Sequence, residues 1–401
     1  MSQSRNLFHI LLSYRNRIGT IVLYLVRMLL TPIVQMGVSF IVIRYHSEAL
    51  WGNTVEELIY YSLFLHLANW GHKDYLLRRF SEEPAKVAKL WQENLSTRFL
   101  FLLIPICYYL FWGYSWELFA WLMLWIGLAY LCRSSEVIYL YEKQFWLPIA
   151  AEAVSAFIVI IPLFFYDVTV LFLIQLYTVG HILKFLMLIP YSLYQIGGIS
   201  PSVLRFSFTH IKEAWPFFIL GLTAMLQSKT DLYMVSALLG DAELGRYQVL
   251  SNIFLYVQAL AGLSLHPFVK NIYRLPDRSI YKLSNKMLVY GAALTTCAIP
   301  ASYLVLQWVY AFDFSIWMYI WAVVFLLPIY YYSPIVYLLF KHKKETWVIW
   351  TNIFGIGVNI IFNALLIEPF GNLGAFIGSS LAQVCILLAY HQQRNRIAQK
   401  Q

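Results

Sequence analysis

Long apolar runs, separated by short polar segments, extend along almost the whole chain. Four of these runs contain no charged residue, and each exceeds the roughly 20 residues that an α-helix needs to cross the hydrocarbon of a bilayer. They are 287–312, 314–340, 346–367 and 369–393. The full set of apolar runs predicts twelve transmembrane helices, near residues 19–44, 55–72, 97–115, 117–141, 146–166, 168–193, 213–239, 247–269, 284–311, 314–340, 346–367 and 373–392. The pattern therefore predicts an all-α polytopic membrane protein.

Lysines and arginines are confined almost entirely to alternate connections between these spans. Most of the 29 would lie on one side together with both termini, whereas the connections on the opposite side hold only Arg44 and Arg246. Cytoplasmic connections carry the excess of basic residues in membrane proteins, so this asymmetry predicts cytoplasmic N- and C-termini and an even number of spans. It also accounts for the net charge of +9 without a nucleic-acid partner.

Composition supports the same class of protein. Of all residues, 60% are hydrophobic and 12% are charged, whereas a soluble domain is about a quarter charged. Four cysteines stand singly in apolar runs without a CxxC spacing, so we expect neither a disulfide framework nor a metal site. The short outer connections and the lack of a nucleotide-binding loop, an HExxH motif or a nucleophile elbow predict that the protein is not an enzyme.

The two halves of the chain contain a weak internal repeat. ALWGNTVEELIYYSLFLHLANWG, from Ala49 to Gly71, resembles ELGRYQVLSNIFLYVQALAG, from Glu243 to Gly262, and the first glycines of the two segments are about half the chain apart. Six spans followed by six in the same orientation form a parallel repeat about an axis along the membrane normal, as transporters do. Convergent hydropathy is the alternative explanation. The repeat predicts an N-terminal lobe over 1–193, a cytoplasmic linker with an amphipathic segment over 194–212, and a C-terminal lobe over 213–401.

Several segments also resemble a known family. DLYMVSALLGDAELGRYQVLSNIF (Asp231 to Phe254), NIFGIGVNIIFNALLIEPFGNLGAFIGSSLAQV (Asn352 to Val384) and NWGHKDYLLRRF (Asn69 to Phe80) are similar, in order, to segments of polysaccharide flippases. These flippases belong to the multidrug/oligosaccharidyl-lipid/polysaccharide exporter superfamily. The resemblance implies two six-helix lobes around a central cavity, lined largely by the first, second, seventh and eighth spans.

For function, the resemblance implies export of a lipid-linked glycan across a bacterial inner membrane. The expected substrate is an undecaprenyl-diphosphate-linked O-antigen or capsule repeat unit, and the expected partners are membrane lipids, a polysaccharide polymerase and a chain-length regulator. A cation-coupled multidrug exporter of the same superfamily is the first alternative, although many of those carry an acidic residue in the first span, where this chain has Arg27. A membrane-embedded glycan polymerase or ligase is the second.

Arg27 is the first of a few charged residues inside predicted spans. It lies roughly 12 Å from the cytoplasmic end of its helix, and Thr31 and Gln35 follow on the same face. A guanidinium group suits diphosphate binding, and intramembrane charges are candidates for function by default. A snorkelling arginine or a buried ion pair is the structural alternative.

Lys184 and Glu152 lie at nearly the same predicted depth as Arg27. Lys184 is thus a second candidate for binding the diphosphate. Buried charges are normally paired, so an ion-pair cluster of Arg27, Glu152 and Lys184 is the competing hypothesis.

The seventh span carries the other two intramembrane charges. Asp231 shares a helix face with Thr223 and Gln227. It either binds a coupling cation, H⁺ or Na⁺, or forms an ion pair with an arginine of the cavity. Lys229 points elsewhere and is a candidate phosphate ligand. Arg44 and Arg246, near the outer ends of their spans, either receive phosphate on release or are ordinary surface arginines.

Overall fold

The computed structural model describes residues 2–265 and 268–398, which are almost entirely helical and contain no strand. In chain order the helices are α1 (Ser2–Tyr45), α2 (Glu48–Asn69), α3 (His72–Glu82), α4 (Val87–Phe99), α5 (Leu103–Phe111), α6 (Trp116–Glu142), α7 (Trp146–Ile160), α8 (Val170–Gln195), α9 (Phe208–Leu239), α10 (Asp241–Leu265), α11 (Val269–Ile272), α12 (Asp277–Leu304), α13 (Ile316–Lys341), α14 (Glu345–Phe370) and α15 (Asn372–Ala398). The predicted all-α class is confirmed.

Ten helical stretches within the described ranges are long and apolar enough to cross a membrane. They are Val22–Tyr45, Pro84–Phe111, Trp116–Glu142, Trp146–Phe164, Val170–Gln195, Asp241–Leu265, Asp277–Val309, Ile316–Lys341, Glu345–Phe370 and Asn372–Ile397. The third predicted span, 97–115, therefore begins well before its predicted start, in a stretch where a 3₁₀ turn joins α4 to α5.

Helices also occupy the other two predicted spans, 55–72 and 213–239, but they are more polar. α2 has 22 residues and α9 has 32, so both exceed the length that crosses the hydrocarbon. α2 contains Glu56 and Glu57, and α9 contains Lys229 and Asp231. The total of twelve spans and the cytoplasmic termini stay predictions.

Hydroxyl side chains set the starts of three long helices. Ser115 accepts a hydrogen bond from the backbone N–H of Leu118 before α6, and Thr169 accepts one from Phe172 before α8. Ser315 does the same for Trp317 at the start of α13. These caps satisfy N–H groups that have no partner inside their own helix.

Contacts between backbone positions divide the chain into two compact units. Unit 1 comprises Met1–Val38 and Tyr61–Phe218, and unit 2 comprises Ser39–Tyr60 and Ile219–Gln401. Residues 39–60 thus pack with the C-terminal half. The predicted lobes 1–193 and 213–401 were defined by a repeat rather than by contacts, and they stay a prediction.

Candidate functional site

Arg27 is paired with a carboxylate inside unit 1. Its Nη2 lies 2.5 Å from Oε1 of Glu136 on α6, and the two side chains are only 13% and 12% exposed. The alternative of a single cluster of Arg27, Glu152 and Lys184 is thus met only in part, because Glu152 pairs with Lys184 and a different carboxylate pairs with Arg27. The depth of a residue along a helix follows from the residue count, but the direction in which each helix faces does not.

Glu136 attracts more than one cation. Nη1 of Arg133 lies 3.3 Å from Oε2 of Glu136, and Nζ of Lys73 lies 4.0 Å from Oε1. Three cations therefore meet one carboxylate. Within the described part of the chain, Nη1 of Arg27 is buried without a hydrogen-bond partner, so the guanidinium keeps a free donor in this cluster.

Lys184 and Glu152 form a second, separate ion pair. Nζ of Lys184 on α8 lies 2.7 Å from Oε2 of Glu152 on α7, with both side chains largely buried. This pairing agrees with the structural alternative for these two residues. His181, one turn before Lys184, accepts a hydrogen bond from Nε1 of Trp125 at 3.0 Å.

Thr31 and Gln35 continue the polar face of α1 beyond Arg27. Thr31 is exposed and Gln35 is half-buried. Both lie on a helix whose other surface residues at this level are apolar, including Ile33, which is 61% exposed. The polar stripe predicted from the sequence is thus present on the surface of α1.

Asp231 occupies a different environment, inside unit 2. The hydroxyl of Tyr247 donates a hydrogen bond to its Oδ2 at 2.7 Å, and the hydroxyl of Ser379 donates another at 3.1 Å. Asn359 donates to Ser379 at 3.2 Å. In residues 2–265 and 268–398, no cationic side chain comes within 4.0 Å of the Asp231 carboxylate, and Lys229 has neither an ion-pair nor a hydrogen-bond partner.

Asp231 also lines a cavity of about 350 Å³ whose wall consists of residues of unit 2. Side chains from α9, α10, α13, α14 and α15 form its wall. Asn363, one turn from Asn359 on α14 and outside this wall, donates to Oδ1 of Asn359 at 2.5 Å, while its own Oδ1 is buried without a described partner. Asp231, Asn359 and Ser379 make this end of the cavity polar.

The two outer arginines differ from each other. Arg246 forms ion pairs with Glu48 and, at 3.6 Å, with Glu243, so its charge is compensated. Arg44 is exposed at the end of α1. Neither arrangement tests the predicted role in phosphate release.

Sequence reasoning missed Glu136, Arg133 and Lys73 as members of the Arg27 cluster. The two cations had been assigned to cytoplasmic connections, and Glu136 lies close to the end of its span, where an acid is unremarkable. Asn359 and Ser379 were also missed. The available signal was their polarity within the final pair of spans.

No family model and no curated protein matches this sequence. Solved structures do match its fold. The lipid II flippase MurJ, in an inward closed conformation, has a TM-score of 0.67 at 16% identity, and the match covers 93% of this chain and 87% of that one. An inward-facing multidrug resistance MATE family transporter of the MOP superfamily has a TM-score of 0.69 at 13% identity over 94% and 98% of the two chains.

A mutant of the MATE transporter VcmN from Vibrio cholerae has a TM-score of 0.62 at 12% identity, and the match covers 96% of this chain and 97% of that one. All three matches extend over nearly the full length of both chains. This multi-pass membrane protein therefore has the fold that is shared by the lipid II flippase and the multidrug transporters of the MOP superfamily.

Proposed function

We propose that the protein is a flippase that moves an undecaprenyl-diphosphate-linked oligosaccharide, of the O-antigen or capsule repeat-unit type, between the leaflets of a bacterial inner membrane. Transport runs from the cytoplasmic to the periplasmic leaflet by alternating access, with both termini in the cytoplasm. The fold, shared with a lipid flippase, supports the class of activity. The charge distribution supports the class of substrate.

The observation that carries this proposal is the excess of positive charge around Glu136. Arg27, Arg133 and Lys73 all lie within 4.0 Å of this one carboxylate. An anion that enters the cluster finds uncompensated positive charge and the free Nη1 donor of Arg27. Guanidinium groups bind phosphate oxygens through paired, charge-assisted hydrogen bonds, so a diphosphate matches the cluster in both sign and geometry.

Glu136 has a role of its own in this mechanism. In the absence of substrate, it holds the Arg27 guanidinium and offsets the cost of burying that charge. When the diphosphate arrives, its oxygens take over part of this coordination, and Glu136 regains Arg27 on release. Lys184, Lys229, Arg44 and Arg246 are proposed as further contacts of the anionic head along its path, and Lys184 must first leave Glu152.

The energy for outward movement comes from the membrane potential and from a coupling cation. With the cytoplasm negative, moving one negative charge outward is favourable by about 2.3 kcal/mol per 100 mV. We propose Asp231 as the residue that takes up the coupling cation, H⁺ or Na⁺. Its support is the buried carboxylate, which accepts hydrogen bonds from two hydroxyl groups and has no cationic side chain within 4.0 Å in the described ranges.

Reconstitution into proteoliposomes tests the flippase proposal. A fluorescent undecaprenyl-diphosphate oligosaccharide is incorporated, and its appearance in the outer leaflet is measured with a membrane-impermeant modifying reagent. The wild-type protein is expected to accelerate exposure, and Arg27→Ala is expected to abolish the acceleration. Arg78→Ala is the matched control, because Arg78 is 68% exposed and pairs only with Glu82 among the described residues.

A cation-coupled multidrug exporter is the second candidate, favoured by the fold similarity to two such transporters. A cationic cluster repels cationic drugs, which argues against this activity. Drug-stimulated cation efflux without lipid exposure would replace the flippase proposal. A glycan polymerase or ligase is not favoured, because the fold is that of transporters; such a polymerase, with a chain-length regulator, is instead proposed as a partner that receives the exported unit.

A further inference from the structure

The cavity of unit 2 is elongated along its helices. Three helices each contribute lining residues over an interval of the same length, from Leu220 to Asp231, from Val348 to Asn359 and from Ser379 to Tyr390. At 1.5 Å per residue, such an interval is about 16 Å long. A volume of about 350 Å³ accommodates on the order of ten water molecules. The cavity is therefore a narrow passage and not a spherical pocket.

The lining of this passage changes from polar to apolar along its length. Asp231, Asn359 and Ser379 lie at one end. One helical turn further along the passage, Gln227 and Gln383 line the wall. Gln383 accepts a 3.0 Å hydrogen bond from the hydroxyl of Tyr332. Further along, Asn352 donates to Thr223 at 3.3 Å.

The other end is lined mainly by apolar side chains, together with Tyr390. Leu220, Val336, Phe340 and Val348, here called the apolar collar, line this end. Phe340 directly precedes the basic segment Lys341–Lys344, which joins α13 to α14. The apolar collar thus lies at the side of the molecule that the basic residues mark as cytoplasmic.

We propose that this cavity is the aqueous route by which the coupling cation leaves Asp231 toward the cytoplasm, and that the apolar collar is its gate. The inference rests on the coupling role proposed above for Asp231. Amide and hydroxyl groups along the passage replace part of the hydration of the cation, whereas the apolar collar gives it no ligand and excludes it until the side chains separate. An inward-moving cation needs such an exit, since Asp231 lies about 16 Å from the apolar collar.

Cysteine accessibility tests the route. Gln383→Cys and Ala224→Cys each place a thiol in the cavity wall, and the native Cys385, two residues from Gln383, lies outside the wall. Vesicles of each orientation are treated with the permanently charged reagent methanethiosulfonate-ethyltrimethylammonium, and mass spectrometry follows each cysteine separately. Both introduced thiols are expected to react at least about tenfold faster than Cys385, because a charged reagent is excluded from hydrocarbon.

The reaction is expected only when the reagent is on the side of Lys341–Lys344. Adding Leu220→Trp to Gln383→Cys narrows the apolar collar, and it should slow the modification of that thiol without changing Cys385. Equal rates at both positions, faster reaction from the opposite side, or no effect of Leu220→Trp would each overturn the proposal. Ala224→Cys is the second probe because Gln383→Cys removes the hydrogen-bond acceptor of Tyr332 and could thereby change the cavity locally.

This experiment is independent of the flippase assay. Lipid exposure without cavity labelling would leave the flippase proposal intact and remove only the route. Labelling of the cavity thiols in a protein that does not expose lipid would leave the route intact and remove the flippase proposal. Imposed Na⁺ and pH gradients distinguish the two cations. The ion that uses the route is the one whose gradient drives transport in the wild type and drives it more slowly in Leu220→Trp.

Discussion

At the residue scale, the charges inside the membrane region are stabilised in different ways. Arg27 and Lys184 are each paired with a carboxylate in the same unit, whereas Asp231 accepts hydrogen bonds from hydroxyl groups. The residue types and depths were predictable from the sequence. The partners were not, because pairing depends on how each helix is rotated toward its neighbours, and Glu136 and Glu152 are both acceptable partners at the depth of Arg27.

The Arg27–Glu136 pair predicts a measurable coupling energy. Glu136→Gln leaves three cations without their carboxylate, and it should lower stability by about 1–3 kcal/mol, less than for a fully buried pair because Arg133 and Lys73 reach solvent. Arg27→Ala in the Glu136→Gln background should restore part of this loss. A double-mutant cycle on thermal unfolding in detergent measures the coupling. Strictly additive effects would show that the pair does not stabilise the protein.

The Lys184–Glu152 pair predicts how a structural role can be separated from transport. Lys184→Met alone leaves a largely buried carboxylate unpaired and should cost on the order of 3 kcal/mol. Lys184→Met combined with Glu152→Gln removes both charges and should recover most of the stability. If Lys184 also contacts the diphosphate, the stable double variant should still transport several times more slowly in the proteoliposome assay. Wild-type transport by that variant would assign Lys184 a purely structural role.

At the element scale, the starts of α2 and α10 approach each other closely within unit 2. A Cβ on Gly245 would lie 2.7 Å from the carbonyl oxygen of Glu48, and one on Gly52 would overlap the carbonyl of Asp241. Nε1 of Trp51 donates to Gln248 at 3.0 Å across the same contact. The sequence had singled out these two glycines as equivalent positions of a repeat. It could not show that they touch, since a repeat gives equivalence and not proximity.

This contact predicts a strong asymmetry between two glycine substitutions. Gly52→Ala forces a methyl group against backbone, which cannot move aside as a side chain can, and should destabilise the protein by about 1–3 kcal/mol or more. Gly127→Ala on α6 meets nothing within 4 Å and should be neutral or stabilising by up to about 1 kcal/mol. Thermal unfolding of the two variants tests this. Similar midpoints would mean that α2 and α10 do not pack closely in the membrane.

At the whole-molecule scale, hydropathy alone does not recover all the predicted spans. The ten apolar stretches omit α2 and α9, which are long enough to cross but carry charges. Fold class and most helix positions were predictable, because both follow from local periodicity. The two polar helices were predicted from the apolar runs and the polar breaks between them, and the alternation of basic connections agreed with that count.

The topology predicts the sidedness of short connections. If α2 spans the membrane, Ser47 and Arg78 lie on opposite sides, and Arg78 shares the side of Lys343. An impermeant thiol reagent should then react with Ser47→Cys from the outside. It should react with Arg78→Cys and with Lys343→Cys from the inside. The native Cys107 and Cys297 are exposed and are resolved separately by mass spectrometry. Reaction of the Ser47 and Arg78 variants from the same side would remove α2 from the spans.

The charge of the proposed substrate predicts how transport responds to voltage. Outward movement of an anion, and inward movement of a cation bound at Asp231, both carry positive charge into the cytoplasm, so an inside-negative potential should favour export at any stoichiometry. Each charge contributes about 2.3 kcal/mol per 100 mV, close to a fiftyfold shift in the lipid distribution. A K⁺ diffusion potential in proteoliposomes imposes the voltage, and lipid exposure reports the result. Asp231→Asn should lose the response to the cation gradient but keep the voltage dependence that belongs to the diphosphate. If this variant loses all voltage dependence, the lipid head crosses without net charge.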